Sequence, residues 1–159
     1  MKRRLFVVVG ALLLAGCATK LVSDDYAGPT AVVKDSYSDY EKGGVFKSDK
    51  AKFFVMTKAD GKKIEEALTW TAMISDGMGS SMRPQNHQRR VPIKPMKVEL
   101  LGIVYYPAPI TQLTNKTYET RRTVSFSPVA GQTYVVRGRL GEGGSDVWIE
   151  TAGGKRVTQ

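Results

Sequence analysis

The stretch KVELLGIVY, Lys97 to Tyr105, does most to limit what this chain can become. Side chains alternate between the two faces of a strand. Val98, Leu100, Gly102 and Val104 therefore share one face, and Leu101, Ile103 and Tyr105 the other. Toward its end the strand is apolar on both faces, which predicts a central strand with something packed on each side. Tyr106-Pro107-Ala108-Pro109 ends it, because proline has no N–H to give to a ladder.

Other segments fit around that strand. Thr30 to Lys34 reads as a short strand, and Phe53 to Thr57 as a compact β-prone run followed by Ala59-Asp60-Gly61-Lys62. Asp-Gly between strands signals a hairpin, because both central residues need φ > 0. Tyr118 to Phe126 and Thr133 to Leu140 alternate and are joined by a turn at Ser127 to Gln132. Val147 to Glu150 is a further strand, with a last one near Val157. Ile64 to Met73 is ambiguous: Ile64, Ala67, Leu68 and Thr71 fall at helical spacing, yet Thr69-Trp70-Thr71 is β-prone. The reading favours a strand running into a loop, with a helical turn as the alternative. Pairing Val124 with Val136 and Phe126 with Tyr134 in an antiparallel ladder sets Arg121 opposite Arg139, and Thr123 opposite Arg137, on an outer face. Seven or so short strands with Gly, Pro and Asp turns predict an all-β fold, a single small antiparallel β-sandwich over residues 51–159.

The chain opens differently. Lys2, Arg3 and Arg4 precede an apolar run from Leu5 to Leu14, which is the layout of a secretory signal. That run is too short for a membrane span, which needs about 20 residues. Leu14-Ala15-Gly16-Cys17 resembles the lipobox of bacterial lipoproteins. The resemblance implies a signal peptide at residues 1–16, cleavage before Cys17, and a diacylglyceryl group on the Cys17 thiol. With an amide-linked chain as well, each buried methylene adds about 0.8 kcal/mol to a stable anchor. Ala18, not aspartate, follows the cysteine. By the same resemblance this implies a lipid-anchored protein of the outer membrane, facing the periplasm. Residues 17–50, poor in packing residues, read as a lipidated tether carrying one short strand. Cys17 is the only cysteine, so internal disulfides are excluded.

The formal net charge is +9, and three of the 24 basic residues lie in the leader, leaving 21 against 15 acids, or +6. Export excludes nucleic acid as the partner of this charge. The anionic groups left in an envelope are lipid A phosphates, phospholipid headgroups, peptidoglycan carboxylates and acidic protein surfaces. Residues 91–157, with VPIKPMKVELLGIVYY, VSFSPVAGQTYVVRGRL and VWIETAGGKRV, resemble the small sandwich domains of uncharacterised bacterial lipoproteins, some of them PEGA-like. The resemblance implies the fold and no chemistry.

Candidate functional residues concentrate between Ser75 and Arg90, a long loop by the sequence reading. Arg83, Arg89, Arg90, Lys94 and Lys97, with Arg121, Arg137 and Arg139 from the strands, form a candidate anion- or partner-binding face, since a planar guanidinium can engage two oxygens at once. The alternative is a set of solvated charges. Met73, Met78, Met82 and His87 are the soft and nitrogen donors a Cu(I) site uses, although methionine also fills gaps in cores. Ser80 or Ser81 with His87 and Asp76 has the composition of a triad, but in one flexible loop it lacks the held geometry that catalysis needs. No cofactor and no catalytic set is expected. The expectation is a non-enzymatic binding or structural component of the envelope, contacting envelope proteins or anionic glycans through its basic face. The alternative is a periplasm-facing copper-handling protein using the Met/His loop.

Overall fold

In the computed structural model of the protein, residues 18–44, 46–108 and 116–159 are described. The leader 1–16, its lipobox residues Leu14, Ala15 and Gly16, and Cys17 lie outside the described residues. In chain order the strands are β1 (Thr30–Lys34), β2 (Ser36–Glu41), β3 (Lys50–Ala59), β4 (Lys62–Lys63) and β5 (Gln88–Pro92). They continue as β6 (Met96–Tyr105), β7 (Glu119–Phe126), β8 (Thr133–Arg139) and β9 (Asp146–Thr151), and one helix, α1 (Ala67–Ile74), falls between β4 and β5. One sheet has the order β5-β1-β8-β9 and the other β2-β3-β6-β7, with β4 folded back on β3. The two pack face to face as an all-β sandwich.

β6 behaves as its alternation requires. It lies between β3 and β7. Val98, Leu100 and Val104 join the core between the sheets with Val33, Phe54, Met56, Phe126, Val136 and Ile149. Leu101, Ile103 and Tyr105 pack on the opposite side with Phe53, Val55, Ala67 and Met82. Burying one such side chain contributes about 1.5–3 kcal/mol, so the second cluster needs a cover of its own. α1 and the segment after it supply that cover. The Asp60-Gly61 hairpin also forms as expected, with both residues at positive φ (48° and 77°) and Ala59 paired with Lys62.

The sandwich begins before residue 51. Val33 on β1 is fully buried, and β2 pairs with β3, so β1 and β2 belong to the domain rather than to a tether. Between β1 and β2 the chain crosses from one sheet to the other at a single residue, Asp35. Its carboxylate accepts the Met56 N–H at 3.0 Å and the Ala67 N–H at 2.9 Å, and pairs with the Arg89 guanidinium. Next to it the Ser36 hydroxyl donates across the sandwich to the Val136 carbonyl at 2.6 Å.

Two further expectations are corrected. The β-prone Thr69-Trp70-Thr71 lies inside α1, not in a strand. Carboxylates at the helix start decide this, because Asp35 takes the Ala67 N–H while Glu66, the N-cap, takes those of Leu68 and Thr69. Donors that a helix leaves open at its first turn are thereby satisfied. β7 and β8 are not ladder partners: β7 pairs with β6, and β8 with β9 and β1. Phe126 and Tyr134 do meet, as rings 5.0 Å apart and nearly perpendicular, but across the core. The ladders are antiparallel as expected, apart from the parallel β1–β8 pair.

Candidate functional site

The continuous basic face does not form. Arg121 alternates outward on β7, while Arg137 and Arg139 alternate outward on β8 in the other sheet, so they occupy opposite sides of the sandwich. Several of these cations also have carboxylate partners. Arg121 lies 2.7 Å from Glu119 and 3.6 Å from Glu99, Arg137 3.5 Å from Glu150, and Lys94 3.4 Å from Asp60 at the hairpin. Arg83 is exposed beyond α1, its backbone N–H donating to the Ser75 hydroxyl.

The stretch from 75 to 90 is not a free loop. Asp49 accepts the Met82 N–H at 2.8 Å, Ser80 O accepts the Asp49 N–H, and the Thr71 hydroxyl accepts the Gln85 N–H. Burial pushes the Asp49 carboxyl up. Donors from Met82, Gly43 and Tyr40 outweigh this and hold it below its ordinary value. Met82 is thereby pinned into the second core at 3% exposure, whereas Met73 is exposed on α1. His87 stacks on Trp70, rings 6.2 Å apart and 17° from parallel. Among the described residues no hydrogen bond joins it to Asp76, Ser80 or Ser81.

What the fold does bring together lies at the start of β5. Arg89 pairs with Val33 on β1 and points inward, beside Val91. Its side chain is 8% exposed and its Nη2 is held by Asp35, yet Nε and Nη1, both buried, have no hydrogen-bond partner among the described residues. Buried donors are nearly always paired, so two open ones on a cation favour an acceptor there. Arg89 lines a depression of about 200 Å³ with Lys20, Asp24, Glu65, His87 and Arg90. A second depression, about 580 Å³, shares His87 and Gln88 with the first and is lined by Lys34, Tyr37, Asn86 and Arg137. The two depressions adjoin at His87 and Gln88, at the start of β5, and form the candidate cleft. Burial and the neighbouring Arg89 charge hold the His87 imidazole below its ordinary value, so near neutral pH it is uncharged. Within the cleft, Asp24 neutralises Lys20 at 2.8 Å and the Tyr26 carbonyl accepts from Arg90 at 2.9 Å.

Of the eight cations expected to bind anions, Arg89 and Arg90 line the first depression and Arg137 the second. Lys20 and Lys34 were not among those expected. No local signal marks them, since Lys34 comes beside Arg137 only through the parallel pairing of Lys34 with Val135. Comparison of the chain with protein-family models, curated proteins and solved structures gives no match.

Proposed function

We propose that the protein is an outer-membrane lipoprotein, anchored through acylated Cys17 and facing the periplasm. In this reading it is a non-enzymatic envelope component that binds an anionic group of an envelope glycan or a neighbouring envelope protein in the cleft at β5. The observation that carries the binding role is the Arg89 guanidinium, buried with two unpaired donors beside Arg90, with Lys34 and Arg137 in the adjoining depression. The leader and the Leu14-Ala15-Gly16-Cys17 motif support the anchor. His87, stacked on Trp70 and with no hydrogen bond to Asp76, Ser80 or Ser81 among the described residues, fits a binding surface better than a proton-transfer site.

Titrating the full lipoprotein in detergent with a carboxylate-bearing peptidoglycan fragment tests the cleft. Binding is expected to weaken with salt and by about tenfold in the Lys34→Glu/Arg137→Glu double variant, as for charges that steer and orient a ligand. Affinity that ignores both salt and charge reversal refutes the cleft. Palmitate labelling lost in Cys17→Ser supports the anchor, and an unlabelled wild type refutes it.

A further inference from the structure

The outer face of the β2-β3-β6-β7 sheet carries an apolar helix surface next to the point where a lipid would attach. α1 has no charged side chain in its eight residues, ALTWTAMI. Thr69, Ala72, Met73 and Ile74 are exposed, Met73 by 58% and Ile74 by 42%. A surface helix ordinarily turns charged groups to water, and contiguous exposed apolar side chains mark a contact surface. Beside α1 lies a depression of about 550 Å³ whose lining includes Ala18, Ile64, Trp70, Met73 and Leu101, with Glu65, Glu66 and Glu99 balanced by Lys58, Lys63 and Arg121. Ala18 is the residue directly after Cys17. Thr19 is already fixed to the body, its N–H donating to the Lys63 carbonyl at 3.0 Å. Two residues of chain span at most about 7 Å, so that length bounds how far an acyl group attached before Ala18 can begin from Thr19. Lys62 and Lys63 of β4 are exposed beside the depression.

We infer that α1 and β4 form the surface by which the domain lies on a phospholipid layer, an inference that rests on the lipid anchor at Cys17. Trp70, Met73 and Ile74 seat among the headgroups and upper acyl chains, while Lys62 and Lys63 meet phosphates. An apolar patch with tryptophan at its centre and lysine at its rim has the chemistry of the membrane interface. The short link from Cys17 to Thr19 fixes orientation, which a long free tether would leave unset. The β5-β1-β8-β9 sheet then turns its outer face, with Trp148, away from the lipid.

The chain contains two tryptophans, which makes each a reporter once the other is replaced. The acylated lipoprotein carrying Trp148→Phe or Trp70→Phe is reconstituted in phosphatidylethanolamine/phosphatidylglycerol vesicles, with and without brominated acyl chains. Trp70 emission is expected to be quenched about twofold, as for an aromatic seated at the interface, with Trp148 emission unchanged. Adding Met73→Glu to the Trp148→Phe variant is expected to reduce that quenching while flotation with the vesicles persists. If both single variants float, carry the acyl mass at Cys17 and show no quenching, the membrane-lying face is refuted and the anchor stands. If the protein neither floats nor carries acyl mass, both are refuted.

Discussion

Removing the Asp35 carboxylate tests how the two sheets are joined. Asp35→Ala strands three groups at once: the Met56 and Ala67 N–H donors and the Arg89 cation, whose side chain is 8% exposed. A buried backbone donor left open costs about 1–3 kcal/mol, and breaking one side of a buried ion pair costs about 3–5 kcal/mol. The terms overlap because one carboxylate serves all three, so the expected loss is about 4 kcal/mol or more, against a typical total of about 5–15 kcal/mol. At a slope of about 2 kcal/mol/M in urea, the unfolding midpoint falls by about 2 M. Asp35→Asn keeps the volume and one acceptor oxygen and falls in between, which guards against a variant that does not fold. Adding Arg89→Met to Asp35→Ala removes the stranded cation and is expected to restore part of the loss, a coupling of about 1–3 kcal/mol in the double-mutant cycle. A midpoint shift under about 0.5 M for Asp35→Ala, or no recovery on adding Arg89→Met, refutes the claim that this pair holds the corner.

Other perturbations have equally definite outcomes. A Cβ on Gly138 would lie 2.4 Å from the Phe54 ring and 2.5 Å from the Asp146 carbonyl, so Gly138→Ala should destabilise by about 1–3 kcal/mol in urea unfolding. Thr158→Val removes the hydroxyl that accepts the Ile149 N–H at 2.9 Å; a loss of about 1–3 kcal/mol is expected, and an unchanged Tm would contradict it. Acid should destabilise the fold. Burial raises the Asp146 carboxyl, but hydrogen bonds from Arg122 and Arg156 outweigh it, so like Asp49 it sits below its ordinary value. The unfolded chain then binds more protons, and the stability present above about pH 4 is lost as pH falls through the folded values. His87, also lowered, adds a loss that begins below about pH 6.5. A Tm that rises on acidification from pH 7 to 3 would contradict this sign.

Local pattern carried much of the fold. The two faces of β6 and the Asp60-Gly61 turn were legible because each depends on neighbours in sequence. The misplaced β7–β8 ladder shows where such reading stops. Strands stacked across a sandwich and strands bonded in a ladder both need an apolar residue at every second position. Val124 with Val136 and Phe126 with Tyr134 therefore fit either arrangement. β2, SYSDYE, has too little apolar character to announce itself, and is recruited by pairing with β3. α1 depends on Asp35, a residue far from it in the chain, to complete its first turn. The cleft was half legible: an Arg pair at 89–90 is visible, but alternation alone cannot say that Arg89 turns inward to a carboxylate while Arg90 turns outward.

The place of β1 sets an order of assembly. It lies between β5 and β8, so the strand nearest the start of the domain is enclosed by strands from its middle and near its end. A chain emerging N-terminus first cannot close this sheet until Thr133 to Arg139 has arrived, and a fragment ending earlier leaves one edge of β1 without its ladder. Open edges invite pairing with other chains, and contacts between distant segments slow folding. The first strand made is thus among the last to be enclosed.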